Sequence, residues 1–341
     1  MIDIFMPGRF CVFGEHSDWA SEYKLVNDEV ENGFAIAIGL DEGIFLSAEK
    51  SALFSYEFNT DSLTLDRIEL INREEKDFFE YVVSCAKVIL KEYGIFGIHI
   101  VCRDMTLPMK KGLASSASIC MGVIRAFNLL YNLKLKTEDE MAMAYRAEQE
   151  VGSKCGKLDQ ICAYGSGVRQ IEFDSGNPKV ELINCKGEWN FLIVDLNGEK
   201  NTKQILSDLN KCYPYSKNSQ MEAMHEVLGK YNKYVVGKAR RCFEKGDALG
   251  VGKLMVEYQT KFDSFVAPFS DELKAPLLHM LFDEIARETD VLGYKGVGSQ
   301  GDGMAQIIVS NKEKVEELEE IIQNRLNMNC INLSIRGAEY D

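Results

Sequence analysis

No stretch of this 341-residue sequence reaches the roughly 18 consecutive apolar residues of a membrane span. Its first residues, MIDIFMPGRF, lack a basic segment followed by a long apolar run, so no secretory leader is expected and a cytoplasmic setting is. Ten cysteines are present, yet no Cys-x-x-Cys pair occurs, which argues against a Cys-rich zinc site. They are scattered through apolar segments and read as free, reduced, buried thiols. Basic residues are in deficit: 39 Lys and Arg stand against 53 Asp and Glu, a formal net charge of −14. That balance disfavours nucleic acid or an anionic membrane as partner, since both call for a basic face. A small anionic ligand needs only a few local cations and backbone dipoles. Only six prolines, no long Ser/Gly linker, no internal repeat and no low-complexity tract occur. With this length they predict two closely joined domains. A composition change near Asn184–Trp189 places the boundary at about 185, giving domains 1–185 and 186–341.

The apolar spacing supplies the elements. Ile2–Phe5 and Arg9–Phe13 read as strands, and Gly33–Leu40 and Gly43–Ala48 as a hairpin turning at Asp41-Glu42. Ser51–Phe58 and Ser62–Leu70 read as a second hairpin. Helical periodicity then takes over at Phe78–Tyr93, with Gly94 as its C-terminal glycine. A strand at Gly97–Cys102 follows, then helices at about 116–131 and Thr137–Glu150, the latter with Thr137 and Glu140 as a capping box. Strands are expected at Val168–Phe173, Lys179–Ile183 and Phe191–Leu196. Helices follow at about 203–212, 216–244, 247–262 and 271–289. The chain ends strand–helix–strand over Met304–Ser310, Glu313–Arg325 and Asn329–Ile335.

Four places carry chemistry. In PMKKGLASSASICM, 108–121, a Gly-containing turn and a run of small hydroxyl residues lead into a helix. A helix N-terminus has unpartnered N–H groups and partial positive charge, and small residues let an anion come close. An ordinary Ser-capped core helix reads from the same residues. In PGRFCVFGEHSDW, 7–19, a strand bearing Arg9 runs into Glu15, His16, Ser17 and Asp18. Such a cluster suits a polyhydroxyl ligand, each hydroxyl wanting a donor and an acceptor, and equally a polar capped loop. In RAEQEVGSKCGKLDQ, Glu148 and Asp159 flank a glycine-containing break. They could accept a proton or bind Mg²⁺, or be two of many solvated acids. GYKGVGSQGDG, 293–303, has five glycines and reads as a ligand-facing or a merely flexible loop.

The order of these motifs resembles the GHMP superfamily of small-molecule kinases, and GEHSD at 14–18 is similar to the galactokinase signature within it. The resemblance spans essentially the whole chain. It implies an α+β, two-domain fold, with a ribosomal-protein-S5-like N-terminal domain and a ferredoxin-like C-terminal domain. It implies ATP-dependent phosphorylation of a hydroxyl on a small polar metabolite, a monosaccharide before a mevalonate-type acceptor. A non-catalytic sugar- and ATP-binding regulator is the alternative of another class. By the same resemblance Asp159 is the catalytic base and Arg9 its partner, while Glu15, His16 and Asp18 bind the acceptor. Lys110, Lys111, Gly112, Leu113, Ala114, Ser115, Ser116, Gly298 and Gly301 would bind ATP, and Ser116 and Glu148 would hold Mg²⁺. Lys200-Asn201-Thr202 matches the start of the family's second domain. The chain departs from the pattern at Lys110 and Lys111, at the missing Gly-Gly after GEHSDW, and in the shorter gap from Glu148 to Asp159.

Overall fold

A computed structural model describes residues 1–74, 76–107, 113–153, 156–174 and 176–336. Along the chain come β1 (Ile2–Phe13), α1 (Ser17–Glu22), β2 (Gly33–Lys50), β3 (Phe54–Phe58), β4 (Asp61–Leu65), α2 (Arg67–Asn72), α3 (Glu80–Tyr93) and β5 (Ile98–Met105). Next are α4 (Ser115–Tyr131), α5 (Thr137–Glu150), a 3₁₀ turn at Asp159–Tyr164, β6 (Gly167–Phe173), β7 (Lys179–Leu182), β8 (Glu188–Asp195) and α6 (Thr202–Asn210). The remainder is α7 (Ser219–Glu226), α8 (Asn232–Lys245), α9 (Ala248–Phe265), α10 (Pro276–Ile285), β9 (Val291–Gly296), β10 (Met304–Val309), α11 (Lys312–Leu326) and β11 (Asn329–Arg336). The strands form two sheets, one of seven strands in the order β4-β3-β5-β2-β6-β7 with β1 also on β2, the other ordered β11-β8-β10-β9. The fold is therefore α+β.

The chain divides into two compact units, one with residues 1–10 and 39–166, the other with 11–38 and the described residues from 167 onward. In the first unit, β5 lies antiparallel to β2 from Ile44 to Lys50 and parallel to β3. Helices α3, α4 and α5 pack beside one another. Their buried faces carry Val82, Cys85 and Ile89, then Ala117, Met121 and Ile124, then Met141 and Ala144. A Cβ on Gly122 would sit 2.5 Å from Leu46 Cδ1, so glycine lets α4 lie close on β2.

In the second unit, β8 is antiparallel to both β10 and β11. Leu192 and Val194 of β8 share a buried cluster with Leu278 and Leu281 of α10, Ile307 of β10, and Val315 and Ile322 of α11. Phe191 and Ile193 are equally buried, so this strand is covered on both faces, as its continuous apolar run predicts.

Several expected boundaries are corrected. Asp41-Glu42 makes no turn: β2 runs straight through for 18 residues. Gly43 is held by Thr106, whose Oγ1 accepts its N–H at 2.9 Å and whose own N–H donates to its carbonyl at 3.0 Å. The second hairpin stops at Leu65, because Asp66 caps α2 through the Ile68 and Glu69 N–H groups and Glu69 caps back. The cap of α5 lies one residue before the expected one, at Lys136, whose N–H the Asp139 carboxylate accepts. Glu140 turns inward instead, to Arg125 and Asn128. Strand β9 was hidden in the glycine-rich segment.

Candidate active site

The first unit brings four separated segments together. Arg9, on β1, is buried and ion-paired to Asp159 at the start of the 3₁₀ turn. Its own N–H donates to the Leu113 carbonyl at 3.1 Å, which ties β1 to the entrance of α4. Ala114 occupies the cap position with φ of 60°, a left-handed conformation unusual for alanine, and offers no capping side chain. Ser115 is the first residue of α4. Ser116 Oγ donates to Glu148 Oε1 at 3.0 Å. Ser118 faces inward and binds the Pro7 carbonyl at 2.8 Å and the Ala114 carbonyl at 3.0 Å, so it serves the fold. Lys110, Lys111 and Gly112 lie outside the described residues.

Glu148, on α5, is almost wholly enclosed. Gln160 Nε2 donates to its second oxygen. Burial, then the nearby Asp159 charge, pushes the Glu148 carboxyl from its ordinary 4.5 up to about 7, against the opposing effects of Ser116, Gln160 and Arg9. Two carboxylates thus share one arginine. Burial also pushes the neighbouring Cys162 thiol up to about 12, which leaves it inert as a nucleophile.

The second unit builds another polar cluster at the turn after β1. Gly14 has φ of 102°, and a Cβ there would lie 2.1 Å from the Phe34 carbonyl, so only glycine fits. Ser17 Oγ donates to the Gly14 and Phe34 carbonyls at 2.7 and 2.9 Å. Glu15 is buried and receives Lys295 Nζ on Oε1 at 2.6 Å. His16 has φ of 70°. Its Nδ1 accepts from Trp19 Nε1 at 3.1 Å, which leaves Nε2 to donate to the Ser299 carbonyl at 3.3 Å. Burial lowers its pKa to about 4, so the ring is neutral. Asp18 is buried in the first turn of α1.

Gly298 and Gly301 have φ of 64° and 75°, in the loop after β9. Beside the Ser299 carbonyl on His16, the Gln300 carbonyl accepts Lys200 Nζ at 3.0 Å. Burial brings the Lys200 ammonium down to about 8, with Glu15 opposing. A Cβ on Gly303 would lie 2.6 Å from Lys200 Cε, so this glycine makes room for the lysine. Asp302 Oδ1 takes the Leu277 and Leu278 N–H groups at 2.9 and 3.0 Å, capping α10.

Within each unit, some of the expected residues come together. Arg9, Asp159, Ser116 and Glu148 assemble in the first, while Glu15 and His16 are tied to the 295–299 segment in the second. Sequence reasoning missed Gln160 and Lys295. Gln160 follows Asp159 directly in GKLDQ, and Lys295 sits at the edge of the glycine-rich run.

A model of the GHMP kinases N terminal domain matches residues 80–167, which hold α3 through the 3₁₀ turn. The galactokinase of Thermotoga neapolitana is 25% identical over 339 residues, covering 93% of this chain and 92% of its own. The chain belongs to the GHMP kinase superfamily. Among solved structures, Lactococcus lactis galactokinase complexed with galactose superimposes with a TM-score of 0.76 at 16% identity, covering 98% of this chain and 93% of the other. Methanococcus jannaschii mevalonate kinase gives 0.73 at 23% identity, covering 99% and 98%. Both similarities are of fold. Among the described residues, no helix is long and apolar enough to cross a membrane.

Proposed function

We propose that this GHMP kinase transfers the terminal phosphoryl group of ATP to a hydroxyl of a monosaccharide. The observation that carries the reading is the Arg9–Asp159 ion pair beside the buried Glu148, at the uncapped start of α4. Phosphoryl transfer asks a protein mainly for positioning and charge. Asp159 takes the proton of the attacking hydroxyl, and Arg9 orients that carboxylate and offers positive charge to the transferring group. Leu113, Ala114, Ser115 and Ser116, with the first N–H groups of α4, bind the phosphates, and Gly298 and Gly301 are further nucleotide contacts. Glu15, His16 and Asp18 bind the acceptor.

The first unit fits a divalent cation. Glu148 is a buried carboxylate held near 7 beside a second acid, and the Ser116 and Glu148 donors are oxygens, as Mg²⁺ prefers. Ser116 and Glu148 would hold it, and it would supply charge neutralisation at the phosphates. Galactokinases among the relatives support a sugar acceptor. A carboxylate-bearing acceptor of mevalonate type draws support from Lys200, which touches the Gln300 carbonyl and makes no salt bridge among the described residues. ADP release measured over hexoses, pentoses, uronic acids and mevalonate tests the reading. A sugar should give turnover; ligand binding without ADP release from any of them would point to a regulator instead.

A further inference from the structure

We propose that Lys295 positions Glu15 for the acceptor, holding one carboxylate oxygen and the Gly296 carbonyl at the same time. The proposal rests on the reading of residues 15, 16 and 18 as acceptor contacts.

Lys295 is fully enclosed at the end of β9, an uncommon place for an ammonium. Its Nζ lies 2.6 Å from Glu15 Oε1 and 2.9 Å from the Gly296 carbonyl, and 5.9 Å from the centre of the Tyr258 ring. The Gly296 carbonyl also receives Gln306 Nε2 at 3.2 Å and Gln300 Nε2 at 3.4 Å. The Gly296 N–H donates to Gln259 Oε1 at 2.8 Å. Both backbone groups of Gly296 are therefore held, and Lys295 fastens Glu15 to its carbonyl. Gln306 adds a bond to the Cys11 carbonyl at 3.1 Å, back on β1. The contact of His16 with Ser299 is a further tie between the same two segments.

This arrangement commits Glu15 Oε1 and leaves Oε2 buried, with no hydrogen-bond partner among the described residues. The Tyr258 hydroxyl is likewise buried and unpartnered. Burial, then the Glu15 charge, raises the Tyr258 pKa well above its ordinary value, so this hydroxyl stays a donor. A ligand hydroxyl needs one acceptor and one donor, and these two atoms offer one of each. Because Lys295 already balances the Glu15 charge, the matching group is a neutral hydroxyl rather than an ammonium. Losing either partner of a buried ion pair leaves an uncompensated charge, so the lysine also decides whether Glu15 can stay where it is.

The test compares Lys295→Met, Glu15→Gln and the double variant by KM for the acceptor, KM for ATP, kcat and melting temperature. Lys295→Met should raise the acceptor KM at least about tenfold, while the ATP KM stays within about twofold. The double variant removes both charges. It should recover melting temperature but keep the high acceptor KM, because an amide without Lys295 is no longer held. A purely structural lysine would leave the double variant with no higher an acceptor KM than Glu15→Gln alone, and that result overturns the proposal. Equal changes in both KM values under Lys295→Met also overturn it. Where Lys295→Met does not fold, the double variant is read against Glu15→Gln: a higher acceptor KM in the double variant supports the proposal and an equal one overturns it. An impaired Glu15→Gln beside a normal Lys295→Met refutes the role of Lys295 and spares the kinase reading. No ADP release by the wild type with any acceptor refutes the kinase reading, and the role of Lys295 with it.

Discussion

Replacing Glu148 with Gln should stabilise the metal-free protein at alkaline pH and leave it nearly unchanged in acid. Burial and the Asp159 charge hold the Glu148 carboxyl at about 7 in the folded chain, against an ordinary value of 4.5. The folded state therefore keeps a proton that the unfolded state gives up. Stability falls as pH rises above 4.5, and the loss is complete above 7. At about 1.4 kcal/mol for each tenfold change in proton affinity, the full penalty is about 3 kcal/mol, of which roughly 1 kcal/mol is already present at pH 5.5. Glutamine carries no such penalty. Its Oε1 still accepts from Ser116, and Gln160 can turn its unpartnered Oε1 toward the new amide. Urea unfolding without divalent cation at about pH 5.5 and about pH 8.5 measures the effect. The stability difference between variant and wild type should be about 2 kcal/mol larger at the higher pH. An equal difference at both pH values would refute the assignment of a raised Glu148 pKa. Adding Mg²⁺ at the higher pH should stabilise the wild type and not the variant.

His16→Gln tests the opposite slope. The His16 pKa is lowered from 6.5 to about 4, so its neutral ring favours the fold above 6.5, and that advantage, about 3 kcal/mol in full, is lost as pH falls toward 4. Glutamine can keep a bond to Trp19 or Ser299 without titrating, so melting temperature against pH should lose this acid slope; an unchanged slope counts against a neutral buried His16. Asp159→Asn should lower kcat by about 10²-fold or more while ATP still binds, and near-normal turnover excludes Asp159 as the base. Ser116→Ala should raise the Mg²⁺ concentration needed for half-maximal rate, and an identical Mg²⁺ titration removes Ser116 from the metal. Gly14→Ala meets the Phe34 carbonyl at 2.1 Å in a conformation hostile to a side chain, so soluble yield and melting temperature should both drop sharply.

Local chemistry made much of the protein legible before any coordinates. Helix α3 follows from apolar spacing and from Gly94, whose φ of 71° ends it. Ser116 was visible as a hydroxyl near the start of α4, but the same residues read equally as an ordinary Ser-capped helix, and only the family resemblance pointed to a phosphate site. The failures share a cause. Asp41-Glu42 has turn composition, yet pairing with neighbouring strands keeps β2 extended. Lys295 lies in a glycine-rich run with turn composition, yet pairing with β10 makes its segment a strand.

By itself the sequence determined most of the helices and strands, the order of the motifs and the identity of the groups that could do chemistry, since these depend on residue type and short spacing, while the α+β class was implied by the family that the motif order resembles. Only the tertiary structure decided which groups meet. Arg9 and Asp159 stand 150 residues apart and Glu15 and Lys295 stand 280 apart. Their pairing, and the burial that takes Glu148 to about 7, come from packing that brings distant segments together and removes water from them.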